Sequence, residues 1–241
     1  MRATWAQFKF ELTLALRRGE GLLVTIFIPL LLLVFLGSVP FFSPDRSRRV
    51  AEVMPGLLAL AVMSTGMVSL GIATAFERQY GFLKRLGATP LTRPQLLLAK
   101  GLTTLLTVCC QVLLLWLVGW WAFGWRPQGE VWLVAIWLLL GLAVFVGVGL
   151  WMAGALRAEA TLAIANALYL VLMLLGGVVV PLSRLPDAIG SVVRFLPTAA
   201  LAELLRQSLV TGGRPSTLNV VVLLFWTILA PGAAVTTFKW E

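Results

Sequence analysis

Side chains able to hold a proton, a metal or a charge are scarce in this sequence, and their placement is uneven. The 241 residues include no histidine, which excludes a zinc-binding HExxH helix and any imidazole base. The two cysteines, Cys109 and Cys110, are adjacent. Neighbours of that kind cannot form an ordinary disulfide and have no histidine with which to share a metal, so they read as small apolar packing residues and no metal site is expected. No serine stands in a G-x-S-x-G setting, and no G-x-x-x-x-G-K-[ST] phosphate loop is present, so nucleotide hydrolysis would fall to another chain and no catalytic residue is assigned. What remains is electrostatic. The carboxylates Glu52, Glu77, Glu130 and Glu159 stand at the ends of long uncharged runs and none lies at the centre of one. One stretch, ERQYGFLKRLGATPLTRP from Glu77 to Pro94, concentrates charge and two prolines between two such runs.

The frame that must position these groups is strongly apolar: 60% of residues are hydrophobic, 12% are charged, and the mean hydropathy is +0.96. That balance lies outside the range of soluble domains. Six gaps hold no Asp, Glu, Lys or Arg: 21–44, 53–76, 101–125, 131–156, 160–183 and 215–238. About 20 apolar residues in a helix suffice to cross a hydrocarbon core of about 30 Å, and each gap exceeds that. The expected fold is an all-α polytopic membrane protein, one transmembrane domain over 1–241 with six transmembrane helices. Barrel strands do not fit, because LLVTIFIPLLLLVFLG is apolar in every register. The first run follows a mixed-charge segment and precedes no small-residue cleavage site, so it reads as a span and not as a removable signal.

Lys and Arg concentrate in the N-terminal segment (Arg2, Lys9, Arg17, Arg18) and in the 77–100 loop (Arg78, Lys84, Arg85, Arg93, Lys100), which places both termini in the cytoplasm. The net charge of +9 then reflects orientation and contact with membrane lipids. Nucleic acid is not an expected partner, since the basic residues are scattered over both membrane faces with no single stripe.

Residues 1–20 read as an N-terminal interfacial amphipathic helix, with Trp5, Phe8, Leu12 and Leu16 at helical spacing and Gln7, Lys9, Glu11 and Arg18 on other faces. Residues 184–213 carry too many charges to span and too many apolar residues for a free loop. They read as a short helical hairpin before the last span, re-entrant from the outer side. Within it Thr198 is the expected N-cap, Leu201, Leu204, Leu205 and Leu209 form the apolar face, and Gly212 and Gly213 form the stop. Small residues mark expected helix contacts: Ala143 with Gly147, Gly149 with Ala153, and Gly176–Gly177. In the 77–95 loop a single helix is expected from Phe76 to about Gly87. Phe76, Tyr80, Leu83 and Leu86 would lie along one side and Glu77, Arg78, Gly81, Lys84 and Arg85 along the other, with Pro90 and Pro94 ending it before re-entry at Gln95. A glycine inside a helix costs about 1 kcal/mol relative to alanine, so close approach by another backbone is its expected motive.

Directly after the second run, Glu77, Arg78, Gly81, Leu83, Leu86, Thr89, Pro90 and Leu91 match a pattern close to E-R-x-x-G-x-L-x-x-L-x-x-T-P-L. Before the last run, Pro181, Leu185, Pro186, Leu196, Pro197 and Arg206 match a P-x-x-x-L-P…L-P-x-x…R ending. With these motifs the chain resembles the permease subunits of type-2 ATP-binding-cassette (ABC-2) exporters, the drug, lipid and polysaccharide exporter class. The resemblance implies a permease in a bacterial cytoplasmic (inner) membrane, paired with a second permease copy or paralogue. It also implies a separate ATPase subunit that binds ATP and Mg, so that this chain itself holds no cofactor. By the same resemblance Glu77 to Leu86 is the coupling helix that docks on the ATPase, with Gly81 at closest contact and Lys84 and Arg85 facing ATPase carboxylates. The turn Arg157–Ala158–Glu159 becomes the second cytoplasmic contact.

The scarcity of Tyr, at two residues, disfavours sugar stacking. Met63, Met67, Asn166, Tyr169, Met173 and Leu174 instead offer a mostly apolar, adaptable set suited to an amphipathic drug or lipid, although plain helix packing explains them equally well. Two other readings fit the residues less fully. A non-transporting membrane scaffold or immunity subunit bound to an ATPase predicts turnover insensitive to substrate. An ion-coupled carrier needs a central charge that the spans lack.

Overall fold

The computed structural model describes residues 2–17, 19–39, 44–177, 187–210 and 212–238, with backbone alone for 2, 3, 19–24 and 187–189. The described residues are helical and contain no strand. In chain order the helices are α1 (Arg2–Arg17), α2 (Gly19–Ser38), α3 (Arg46–Met63), a π-helical segment (Ser64–Ser69), α4 (Leu70–Gln79), α5 (Phe82–Gly87), α6 (Arg93–Phe123), α7 (Val131–Ala155), α8 (Ala158–Leu175), α9 (Asp187–Val193), α10 (Pro197–Ser208) and α11 (Thr217–Thr237). Five are long and apolar enough to cross a membrane: the continuous rod Arg46–Gln79, α6, α7, α8 and α11. The first apolar run forms α2, whose described apolar portion, Thr25–Ser38, is shorter than the other five.

Helix ends depart from the charge-free gaps because a helix does not stop at the first ionisable residue. The rod Arg46–Gln79 has 34 residues, about 51 Å at 1.5 Å per residue, so it overruns a hydrocarbon core of about 30 Å. α6 likewise begins at Arg93 and not at Gln95: Thr92 caps it, and the Thr92 backbone N–H donates to Gln95 Oε1 at 3.0 Å. At the opposite end of the bundle, Arg49 closes the α2–α3 corner by donating to the Gly37, Ser38 and Pro44 carbonyls at 3.1, 2.9 and 2.8 Å. These acceptors include carbonyls left over at the C-terminus of α2.

The centre is the α3 rod with α7, which are mostly buried within the chain, whereas α6, α8 and α11 leave most of their surface outward. Glycine sets this packing. A Cβ built on Gly149 would stand 2.5 Å from Gly66 O and 2.8 Å from Met67 O, and one on Gly147 would stand 2.5 Å from the Pro231 nitrogen of α11. Gly147 and Gly149, two of the small-residue positions expected in the fourth run, are therefore backbone-to-backbone contacts. Gly149→Leu is expected to cost about 1–3 kcal/mol by overpacking and to lower the thermal midpoint of the detergent-solubilised chain. Gly101→Ala, whose Cβ would meet only Val146 Cγ1 at 3.8 Å, is expected to leave the midpoint unchanged or raise it.

Residues 187–210 fold as α9 and α10, and Leu201, Leu204, Leu205 and Leu209 of the expected apolar face are buried against α3, α7 and α11. The N-cap is Leu196 with Pro197 in the first turn. Thr198 is fully buried one position further on and its Oγ1 finds no partner among the described residues. It does not cap, because proline's fixed φ suits the first helical position and moves the start two residues earlier. Gly212 takes a left-handed φ of 73° just after the segment. Arg206 pairs with Glu203 at 2.7 Å and reaches Gly177 O at 3.3 Å. Pro181, Leu185 and Pro186 lie outside the described residues.

α1 turns two polar residues inward while Lys9 stays exposed. Gln7 and Glu11, four residues apart, are buried and hydrogen-bonded at 2.9 Å, while Trp5 and Leu16 are exposed.

Candidate functional site

The long α3–α4 rod ends at Gln79, and the helix expected from Phe76 to Gly87 is interrupted there. Tyr80 leaves helical geometry, Gly81 adopts φ 69°, and a separate six-residue helix, α5, starts at Phe82. Gly81 N–H bonds Arg78 O at 2.9 Å and Tyr80 N–H bonds Phe76 O at 2.9 Å, which closes the rod. A Cβ built on Gly81 meets nothing within 4 Å. Its role in the described residues is thus a left-handed turn that only glycine and a few polar residues adopt cheaply, and not close approach by another backbone.

This break redistributes the expected faces. Tyr80 is 76% exposed, whereas Leu83 is fully buried with Leu91, Leu96, Leu97, Leu150 and Phe238. Phe82 stacks on Phe10 of α1 with ring centroids 5.9 Å apart. Lys84 and Arg85 are exposed and Leu86 is half-buried. Thr89 Oγ1 donates to Leu86 O at 2.6 Å and finishes the turn before Pro90. α5 is a short basic projection pinned to the bundle by one buried leucine and one aromatic stack.

Glu77 and Arg78 do not share that projection. Glu77 is buried, and Lys100 Nζ lies 2.6 Å from its Oε2 and 3.1 Å from Glu11 Oε1. Three helices, α1, α4 and α6, thus meet at one ammonium, with Gln7 steadying Glu11. Arg78 donates to Gly154 O at 2.6 Å and to Leu156 O, occupying carbonyls at the end of α7. Gln79 Nε2 donates to Glu159 Oε1 at 2.6 Å. The end of the rod is therefore bonded to the turn Arg157–Ala158–Glu159, in which Arg157 is exposed and its carbonyl accepts from Thr161 N–H at 2.8 Å. The two expected contact regions are physically joined through Arg78 and Gln79, while Glu77 ties the rod to α6, and neither Glu77 nor Arg78 is an exposed group. The reason is energetic: a carboxylate and a guanidinium at helix ends bury well only where a counter-charge or free carbonyls await them.

A polar seam that sequence reading missed continues from the ion triad. A cavity of about 250 Å³ is lined by Glu11, Glu77, Lys100, Thr103, Thr104, Thr107, Thr65, Ser69 and Thr25 among others. Beyond it Thr65 donates to Gln111 Oε1 at 3.0 Å, and Gln111 Nε2 donates to Thr25 O at 2.9 Å. Thr65 belongs to the π-helical segment, a local widening of a helix often found at functional positions. The signal was present as Lys100, Thr103, Thr104, Thr107 and Gln111, one face of α6 at helical spacing.

A second cavity of about 230 Å³ shares Thr25 and Ser69 with the first and is lined further by Ser64, Asn166 and Tyr169. Of the expected substrate-facing residues, Asn166 and Tyr169 reach it. Met173 packs half-buried against the core and Leu174 is exposed, while Met63 and Met67 are fully buried in the core. The structure does not bring these six side chains together in one cavity. The described residues contain no cluster of three or more metal-ligating groups.

The model of the ABC-2 type transporter family matches residues 2–210. A Bacillus subtilis (strain 168) protein bearing the name transport permease YvfS is 25% identical over 227 residues, which is 91% of this chain and 90% of that relative. With a multi-pass helical bundle, a basic helix after the long rod and a family match over most of its length, the chain belongs to the ABC-2 type transporter family, as a membrane transport component.

Proposed function

We propose that the chain is the permease subunit of an ATP-driven exporter that moves an amphipathic drug-like or lipid substrate out across the bacterial cytoplasmic membrane. A separate ATP-binding-cassette subunit, binding ATP and Mg, supplies the force. The observation that carries this reading is the geometry of α5: a six-residue basic helix, exposed at Lys84 and Arg85, standing on the end of a rod that runs into the protein core. Force applied to α5 reaches α6 through Lys100 and the α7–α8 turn through Arg78 and Gln79. Lys84, Arg85 and Leu86 form the docking element, and Arg157 adds a second point of contact. ABC-2 permeases usually work with an ATP-binding subunit, and their acidic complement here would be that subunit's carboxylates.

In the same reading Gly19–Ser38 is the remaining crossing, both termini are cytoplasmic, and the outward face of α8, with Leu170, Val171 and Leu174 exposed, meets a second permease copy or paralogue. Substrate passes between the two by alternating access. Asn166 and Tyr169, on the cavity beside the π-helical segment, would face it.

Lys84→Glu combined with Arg85→Glu is expected to abolish co-purification with the ATPase subunit and ATP-driven transport while leaving membrane insertion intact. Unchanged transport would remove the docking role. Labelled lipid, hydrophobic drug and oligosaccharide, offered in parallel to vesicles containing the complex, separate the substrate classes. Uphill transport by the permease alone on an ion gradient would overturn the reading.

A further inference from the structure

α6 and α7 follow one another in sequence, yet α7 packs far more closely on α11 than on α6. Between the diverging helices lies an apolar furrow of about 410 Å³, and Leu113 and Trp116 of its α6 wall also line a neighbouring cavity of about 570 Å³ between α6 and the Trp125–Pro127 loop. Its deep part runs between Leu105 on α6 and Leu142 on α7. At its other end the chain leaves α6 through Gly124 at φ 65°, and Trp125 folds back with its N–H on Gly119 O at 3.0 Å. Trp125 is buried there, edge-on to Trp116 with ring centroids 6.2 Å apart, and Arg126 lines the mouth.

Two groups in this furrow lack the partners they need. The indole N–H of Trp116 is buried and finds no acceptor among the described residues. Tryptophan can only donate, and a buried donor left unmet is unfavourable because it has lost its water without gaining an acceptor. Arg126 is exposed and makes no ion pair among the described residues. Its neighbours Trp120 and Trp121 are 57% and 90% exposed, the aromatic girdle of a surface turned to lipid. From Leu105 to Trp116 α6 rises about 16 Å, about half of a 30 Å core and so the reach of one leaflet's acyl chains.

We propose that the α6–α7 furrow binds one anionic glycerophospholipid: an acyl chain lies between Leu105 and Leu142, an ester carbonyl oxygen accepts from Trp116 Nε1, and the phosphate faces Arg126. The order of these groups along the furrow, apolar floor, then buried donor, then cation, is the order of chain, ester and headgroup in such a lipid. A second protein chain would need an acceptor oxygen and an anion at the same two depths.

The test uses the full chain, purified in mild detergent, stripped of lipid and incubated with phosphatidylglycerol or phosphatidylcholine, with retained lipid counted by native mass spectrometry. The unmodified chain is expected to retain one phosphatidylglycerol in preference to phosphatidylcholine. Trp116→Phe, which keeps the ring and removes the donor, is expected to weaken retention of both about fivefold. Arg126→Gln, a surface change that does not threaten folding, is expected to abolish the preference for the anionic lipid. Equal retention by all three proteins, or no preference in the unmodified chain, would overturn the site. So would quantitative thiol cross-linking of two copies through Cys109, which lines the furrow, in a Cys110→Ala background, because a second copy would then fill it.

Discussion

Lys100→Met is expected to destabilise the chain by about 3–5 kcal/mol, because it leaves the buried carboxylates of Glu11 and Glu77 without their shared cation. For a domain of this size that corresponds to a fall in thermal midpoint of roughly 10 °C. Glu11→Gln with Glu77→Gln added on the Lys100→Met background should restore most of the loss, since uncharged groups of similar volume replace a buried ion set at little cost. The comparison separates charge from packing. If the single variant melts like the unmodified chain, the three side chains are not held together in solution, and the link from α5 to α6 proposed above loses its main bond. If the single variant is unstable and the triple variant is not rescued, the lysine stem, fully buried along four methylenes, matters more than its ammonium.

At Gly81 the decisive contrast is valine against asparagine. A non-glycine residue held at the left-handed φ of 69° costs about 1–2 kcal/mol, and asparagine is among the few that visit that region routinely. Gly81→Val is therefore expected to straighten or misdirect α5 and cut co-purification of the ATPase subunit at least tenfold, together with ATP-driven transport. Gly81→Asn is expected to keep both near the unmodified level. Equal failure of the two variants would mean that a partner backbone does pack against this glycine in the assembled complex, the motive expected from a helix-centre position. Normal behaviour of Gly81→Val would show that the orientation of α5 is not transmitted at all.

Glu77 shows why a charge pattern in a loop is ambiguous. In sequence it stands with Arg78, Lys84 and Arg85 as one charged cluster. In the fold only Lys84 and Arg85 stay exposed, because a glycine turns the chain and because Glu77 and Arg78 find partners 23 and 76 residues away. No local spacing encodes such partners. The same holds for α1, whose apolar spacing predicts a helix but cannot say that Gln7 and Glu11 point inward to Lys100. Met63 and Met67 repeat the lesson in the core: a helical spacing places them on a span, and the close approach of Gly66 and Gly149 decides that they are packing residues.

The sequence by itself determined that this is a helical membrane protein, along which stretches its apolar helices lie but not where they begin and end, and which loop holds the basic docking candidates. These follow from transfer free energy and from the 1.5 Å rise of a helix, which act on each segment alone. Tertiary structure decided the break at Gly81, the burial of Glu77, the three-helix ion set at Lys100 and the furrow between α6 and α7. Each depends on which helices become neighbours, and that choice is made by long-range contacts of glycine, glutamine and charge whose partners are distant in sequence.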